Sequence, residues 1–420
     1  MSNEFKQQGR KTPLEPDRLR SEVADCTGCG ACGNICPGDS ISFPPDDHGF
    51  FKPFINPDTC IGCRACLNVC PILHPEKRKR KHHANKHYYC AWAKDSAVRV
   101  SSSSGGIFTP IAEYILRQGG CVFGVRMDGG DSPHVCMAET PEELVAFRGS
   151  KYLQAAVGDA YRQVKAELKK GRLVLYSGTP CQIGGLLAYL GKRPDNLLTI
   201  EIICHGVPSR IAFDKYLEDF TEKGREKRMP DSVSFRDKRN GWIYSHFGMS
   251  ISWGDGSESY SQLGYDLFLA AFMSDKLLNK CCYSCRYVGL DNHLVDFILG
   301  DAWMIWKYFP HWDIRDGVSA VITCSERAEQ ILRNISSEIV LKPVPKRLIL
   351  RHNPALMHHK ELPEDREQAF EVLKQQGIRA YLKAFPPQPP PNPWKWRLTH
   401  PFRWSLNIVI RVYEHFFLKG

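Results

Sequence analysis

The stretch Cys26-Thr-Gly-Cys29-Gly-Ala-Cys32-Gly-Asn-Ile-Cys36-Pro37 recurs as Cys60-Ile-Gly-Cys63-Arg-Ala-Cys66-Leu-Asn-Val-Cys70-Pro71, and the two copies agree at eight of twelve positions. This is an internal duplication. Each copy has the C-x2-C-x2-C-x3-C-P spacing in which three close thiolates wrap one 4Fe-4S cluster and the fourth reaches across to the other. One cluster is therefore expected on Cys26, Cys29, Cys32 and Cys70, and a second on Cys60, Cys63, Cys66 and Cys36. The small residues Gly28, Gly30, Ala31, Gly62 and Ala65 allow backbone N–H groups to turn toward the sulfurs, and the proline after each fourth cysteine redirects the chain. Paired C-x-x-C units also bind zinc, but three cysteines at two-residue gaps, duplicated with proline, suit a cuboidal cluster better than a tetrahedral ion. Two clusters side by side relay single electrons and have no substrate site of their own.

The rest of the composition supports an intracellular reading. At 420 residues the chain can bury a core without disulfides, so its 17 cysteines need a chemical role. Glu4, Lys6, Arg10, Lys11, Glu15, Asp17 and Arg18 leave no apolar stretch for a signal peptide, which points to the reducing cytoplasm. No uncharged run is long enough to span a bilayer; even Trp404 to Leu418 is interrupted by Arg411 and Glu414. The formal charge of +10 is concentrated at Lys77 to Lys81 and in the last thirty residues, favouring an acidic redox partner or an anionic surface. Without a nucleic-acid module around it, the Lys77 to Lys81 run reads as a solvated linker, with no nucleic acid as partner.

Residues 73–87 form this basic linker, in which His82, His83 and His87 read as solvated rather than metal-bound. From Tyr88 onward apolar strands alternate with amphipathic helices. The segment 171–176 runs through a glycine turn into a helix over 182–190, and 197–203 leads through Cys204-His205-Gly206 into a helix over 209–220. These strand, loop and helix units predict an α/β domain whose functional residues lie in the loops that follow strands. Ser101-Ser-Ser-Ser-Gly105-Gly106-Ile-Phe-Thr109 opens a predicted helix over 107–117. It reads either as a phosphate cradle or as a serine-rich cap, with Gly149-Ser150-Lys151-Tyr152 supplying a second hydroxyl and a cation. Cys181, Cys204, Cys282 and Cys285 fall in loops and could close a third cluster, whereas Cys90, Cys121, Cys136, Cys281 and Cys324 sit in apolar surroundings and read as core.

Taken in order, Ser-Gly-Gly-x-x-Thr at 104–109, Gly-Ser-Lys-Tyr at 149–152, Ser-Gly-Thr-Pro-Cys-Gln at 177–182, Cys-His-Gly-Val-Pro-Ser at 204–209, Cys-Tyr-x-Cys at 282–285, Gly-Asp-x-Trp at 300–303 and Asp-Gly-x-Ser at 316–319 form a specific set. The chain resembles the coenzyme F-420 hydrogenase/dehydrogenase beta-subunit family over roughly residues 88–350, with a two-cluster ferredoxin module in front. The resemblance implies an iron-sulfur flavoprotein that exchanges a hydride with a two-electron partner and single electrons with its clusters. By matching position, Cys181, Cys204, Cys282 and Cys285 would hold a core 4Fe-4S cluster. Ser104, Gly105, Gly106, Thr109, Ser150, Lys151, Tyr152, Gly178 and Thr179 would hold FAD, and His205 and Asp301 are the catalytic candidates. Members often place glycine after Gly-Asp-x-Trp, where this chain has Met304. Deazaflavin use is not inherited from the family name, since relatives act on other substrates.

The resulting expectation is a multidomain α+β and α/β protein. It has a leader at 1–25, a two-cluster ferredoxin-like module at 26–72, the linker at 73–87 and a mixed α/β flavin-binding core. That core divides into 88–165 and 166–350, followed by a helical extension at 351–384. Beyond it, 385–393 is a polyproline-like spacer and Trp394 to Lys419 a basic amphipathic segment that packs back on the protein or meets a membrane surface at its inner face. The expected partners are a ferredoxin or reductase subunit and a small or lipid-linked substrate. The competing expectation is a flavin-free electron-transfer subunit of a larger complex.

Overall fold

The computed structural model describes residues 12–75, 85–130, 132–222, 229–243, 246–292 and 295–387. The expectations for Lys77 to Lys81, His82, His83 and the Trp394 to Lys419 tail lie outside these residues. Among the described residues no helix is long and apolar enough to cross a membrane.

The duplicated sequence folds as a duplicated structure. Short helices at Ala31–Ile35 and Ala65–Val69 are each entered through a left-handed residue, Gly30 (φ 78°) in one copy and Arg64 (φ 59°) in the other. Between them β1 (Ile41–Ser42) pairs antiparallel with β2 (Phe54–Ile55), Ile41 opposite Ile55.

The main sheet follows from the alternation of apolar strands and amphipathic helices. Its strands are β3 (His87–Ala93), β4 (Cys121–Arg126), β5 (His134–Ala138), β6 (Val174–Gly178) and β7 (Leu197–Ile202), while β8 (Ser232–Asp237), β9 (Gly248–Ser252) and β10 (Glu258–Gln262) form a separate antiparallel sheet. Three later strands, β11 (Phe297–Asp301), β12 (Ser319–Thr323) and β13 (Ile339–Pro343), complete an eight-stranded sheet of order β13-β3-β12-β11-β7-β6-β4-β5. Its centre, β11, β7, β6 and β4, is parallel, and the flanking pairs are antiparallel. Val174, Leu175, Tyr176, Leu197 and Leu198 are buried, as central parallel strands covered on both faces require. The mixed α/β multidomain class expected from sequence is the class observed.

Particular elements differ from expectation. Ser101 ends a preceding helix, Ser96–Ser101, so the helix after the serine loop is Phe108–Arg117. His87 belongs to β3, not to a linker, and its Nδ1 lies 3.2 Å from Glu329 Oε1. The 165/166 division falls inside the helix Ala160–Lys169, and strands from both sides share one sheet. Cys136, read as core, is only half-buried on edge strand β5. In the C-terminal extension the helix Arg366–Ala384 is interrupted at Gly377 (φ 82°, ψ 178°) and packs on Arg210–Glu222 and Leu267–Met273.

The N-terminal module is not a separate bead. Ala31 and Val69 lie in the same core as Tyr161, Ile183 and Leu186. Arg162 caps the Ala31–Ile35 helix with bonds to Gly33 O (3.0 Å), Asn34 O (2.7 Å) and Cys36 O (2.7 Å), and Asn34 Nδ2 donates back to Gly158 O at 2.8 Å.

Met304 stands where the resemblance implies glycine. It has φ 61°, ψ 10° and opens the turn Ile305–Lys307, a left-handed conformation that costs a residue with a Cβ about 1 kcal/mol relative to glycine. Met304→Gly should therefore unfold at higher denaturant than Met304→Ala, by about 1 kcal/mol. Equal midpoints in anaerobic denaturation would show that the backbone there relaxes.

Candidate iron-sulfur and redox site

Parallel strands deliver their following loops to one edge of a sheet. Here β6 runs into Thr179-Pro180-Cys181, β7 into Cys204-His205, and β11 ends at Asp301. The turn Lys280–Ser284 brings Cys282 and then Cys285 to the same place. All four cysteines line one cavity, with Asp25, Thr27 and Ile72 of the N-terminal module on its wall. They are close enough for like charge to couple Cys181 to Cys282 and Cys285, and Cys204 to Cys181, Cys282 and Cys285.

Burial pushes the thiols of Cys181, Cys204 and Cys285 up, because an anion there has lost its water. Donors are nevertheless aimed at the sulfurs. The Thr179 hydroxyl lies 3.2 Å from Cys181 Sγ, Gly206 N–H faces Cys204, Val207 N–H faces Cys282, and the N–H groups of Tyr287 and Val288 face Cys285. Cys282 alone of the four is held below the ordinary thiol range, chiefly by a hydrogen bond from Cys281. Cys281, assigned to the core from sequence, is thus a fifth thiol on the cavity wall.

The N-terminal cysteines act on one another across the duplication. Cys70 acts on Cys26, Cys29 and Cys32, whereas Cys36 acts on Cys66 together with Cys63. Burial raises Cys29 to about 12 and Cys66 to about 11. Backbone donors again face sulfur, Leu14 N–H at 3.5 Å from Cys60 and Ser40 N–H at 3.4 Å from Cys36. Among the described residues no three His, Cys, Asp or Glu side chains are gathered tightly enough for one metal ion. A cuboidal cluster spreads its thiolates wider than a single tetrahedral ion does, and peptide donors turned toward sulfur suit its anionic charge.

The two regions touch. Cys29 lies near enough for its charge to act on Cys181, and the Tyr161 hydroxyl lies 2.7 Å from both the Cys29 and the Gln182 carbonyl oxygens. Gly185, on the helix that carries Cys181, leaves no space for a methyl group: a Cβ there would lie 2.9 Å from Cys29 Sγ. Gln154 straps the same seam, accepting from Phe51 N–H at 2.7 Å. No spacing signal in the sequence marks Tyr161, Gly185 or Gln154.

The loops assigned to a flavin are partly engaged by the protein itself. Ser104 Oγ donates to Val318 O at 2.8 Å and Gly105 N–H to Ser319 Oγ at 3.0 Å. Gly106 adopts φ 80°, and Gly178 ends β6 just before Thr179, whose N–H donates to Gln182 Oε1 at 3.0 Å. Ser150 N–H donates to Ser103 Oγ at 2.6 Å. Lys151 does not face the serine loop. Its Nζ donates to Ala146 O and Arg148 O, both at 2.9 Å, and burial draws it down to about 8. Arg148 is the cation beside the loop instead, 3.3 Å from both Ser101 Oγ and Thr109 Oγ1. Tyr152 packs against Phe272 and accepts from Arg236 Nη1 at 3.1 Å.

Asp301 and His205 are held differently. Both Asp301 oxygens are engaged, by Arg236 at 3.1 and 3.2 Å and by Trp242 Nε1 at 2.7 Å. His205 lines the cavity with its Nε2 2.6 Å from Asp275 Oδ1, and Lys360 Nζ lies 2.7 Å from the other oxygen. Burial alone would raise Asp275; the contacts with His205 and Lys360 outweigh it and hold the carboxyl low.

Residues 25–72 match the 4Fe-4S dicluster domain, 88–161 the N-terminal part of the coenzyme F420 hydrogenase/dehydrogenase beta subunit, and 171–347 its C-terminal part. The chain belongs to this beta-subunit family. A chain of the F420-reducing [NiFe] hydrogenase complex from Methanosarcina barkeri is similar at 16% identity and a TM-score of 0.44, over 73% of this chain and 94% of that one. No curated protein matches. Family membership makes this beta-subunit relative an iron-sulfur oxidoreductase component.

The seam is testable through Gly185. Gly185→Ala should destabilise the protein by about 1–3 kcal/mol, since the added methyl has nowhere to go. Anaerobic thermal unfolding at the wild-type midpoint would show that the two regions are not in contact.

Proposed function

We propose that this protein is an iron-sulfur flavoprotein oxidoreductase with three 4Fe-4S clusters in series. The outer one is held by Cys60, Cys63, Cys66 and Cys36, the middle one by Cys26, Cys29, Cys32 and Cys70, and the core one by Cys181, Cys204, Cys282 and Cys285. The observation that carries this reading is the convergence of the last four cysteines, from three separate loops, on a donor-lined cavity whose wall includes Asp25, Thr27 and Ile72 of the N-terminal module. The electron-exchange partner, a ferredoxin or a reductase subunit, meets the outer end, where Cys63 is exposed and Ile61 is 53% exposed.

For FAD, the supporting residues are the Ser103–Gly106 loop, Arg148, Ser150 and Tyr152, together with Arg236. The buried Nε of Arg236 lacks a partner, while its guanidinium lies over the Phe247 and Trp303 rings. A bound flavin supplies the conversion between a hydride and two single electrons. The protein's own part is to stack and hydrogen-bond that group, to exclude water through the surrounding aromatic residues, and to hold a proton at His205. Asp275 fixes His205 Nε2, leaving Nδ1 as the second proton site. His205 suits proton handling better than Asp301, whose oxygens are both taken. The two-electron partner is a small or lipid-linked molecule or a deazaflavin, and the working location is the cytoplasm, at the inner face of the membrane if the basic tail meets lipid.

One observation favours the flavin-free alternative: the polar groups of Ser104, Gly105 and Lys151 already have partners within the protein. Anaerobic purification with iron, sulfide and flavin counted per chain separates the readings. The proposal expects about twelve irons and one flavin, with about four irons lost in Cys181→Ser. About eight irons, unchanged by that substitution, would remove the core cluster; twelve irons without flavin would make the chain an electron-transfer subunit.

A further inference from the structure

Lys52 belongs to the N-terminal module but reaches across the seam. Its Nζ donates to Cys26 O at 2.6 Å and to Asn279 Oδ1 at 3.1 Å. Cys26 begins the middle set of thiols. Asn279 is buried and begins the turn that carries Cys282; its own carbonyl accepts from Cys282 N–H at 2.8 Å, and its N–H donates to Val207 O at 2.9 Å. One ammonium is therefore bonded to the backbone of a thiol residue in one set and to the side chain of the residue that anchors a thiol residue of the neighbouring set.

Other cations nearby act on one set. Arg20 acts on Cys26, and Arg366 on Cys282. The charge of Lys52 acts on Cys26 and also on Cys281 and Cys282. The outer set has a different cation, Arg162, which donates to Cys36 O at 2.7 Å, while Cys66 is governed by burial, by local backbone N–H groups, and by Cys36 and Cys63. In a site of low dielectric a fixed positive charge favours the reduced, more negative state of any cluster beside it.

Resting on the three-cluster reading, we propose that Lys52 is a positioning residue that sets two redox centres at once: its single charge raises the reduction potentials of the middle and core clusters together, which favours electron entry from the outer cluster and leaves the step between the two inner clusters unchanged. The same contact pins the seam, since the cation is shared by carbonyl and amide oxygens from both sides. Neutralising it lowers both inner potentials and leaves the outer one where it was.

The test is a potentiometric titration of the full-length protein, purified anaerobically and followed by electron paramagnetic resonance, for wild type, Lys52→Gln, Lys52→Met and Lys52→Arg. At wild-type iron content, the two neutral variants should shift the reduction equilibria of both inner clusters about tenfold toward the oxidised form, ~59 mV for a one-electron couple. The outer cluster should not move, and Lys52→Arg should restore both inner potentials. Unchanged inner potentials in the neutral variants, a shift confined to one cluster, or an equal shift of all three would overturn the proposal. So would iron loss in both neutral variants with full iron in Lys52→Arg, because the cation would then serve assembly alone. A wild-type content of about eight irons rather than twelve would instead defeat the three-cluster reading on which the inference rests.

Discussion

Everything in this structure turns on the electrostatic cost of burying sulfur that has to carry negative charge. A thiolate taken out of water is strongly disfavoured unless donors, cations or a metal cluster replace the lost hydration. The fold meets that requirement locally, by turning peptide N–H groups toward the cysteines. Gly206, Val207, Tyr287 and Val288 do so in the core, and Gly28 and Ala31 in the N-terminal module. Left-handed backbone at Gly28 and Gly30 makes such turns possible.

The second constraint is proximity. Electrons pass efficiently only between centres that are held close, and the chain achieves this by sharing one hydrophobic core between its two cysteine-rich regions. Gly185 removes a side chain where Cys29 must fit, Tyr161 ties the two backbones, and Arg162 locks the short helix behind them. A relay built this way is a fixed conductor. It contrasts with a tethered module that would have to swing between docking sites.

Much of this was legible in the sequence, and the reasons for the remainder are physical. The cluster spacing, the strand and helix units that flank Cys181 and Cys204, and the mixed α/β class follow from local periodicity, which survives in one dimension. Sheet order does not: β3 enters between β12 and β13, more than two hundred residues away in the chain, and no local pattern encodes that pairing. The cation beside the serine loop is Arg148 and not the expected Lys151, because residues three apart differ only in which way each side chain turns. Cys281 is buried as expected, and its place on the cavity wall is invisible in the sequence because burial says nothing of where a thiol points. Lys52, Gln154 and Tyr161 carry no motif at all; their importance comes from what they reach.

The gradient of exposure along the cysteine sets has a further consequence. Cys63 lies open to solvent, whereas Cys29, Cys181 and Cys204 are partly buried. On the three-cluster reading proposed above, molecular oxygen, superoxide and chelators would meet the outermost cluster first, and corrosion in air would begin at the proposed point of contact with the donor. A chain damaged in that way would still be coloured and still hold its inner inorganic sulfide, but it would be deaf to its partner.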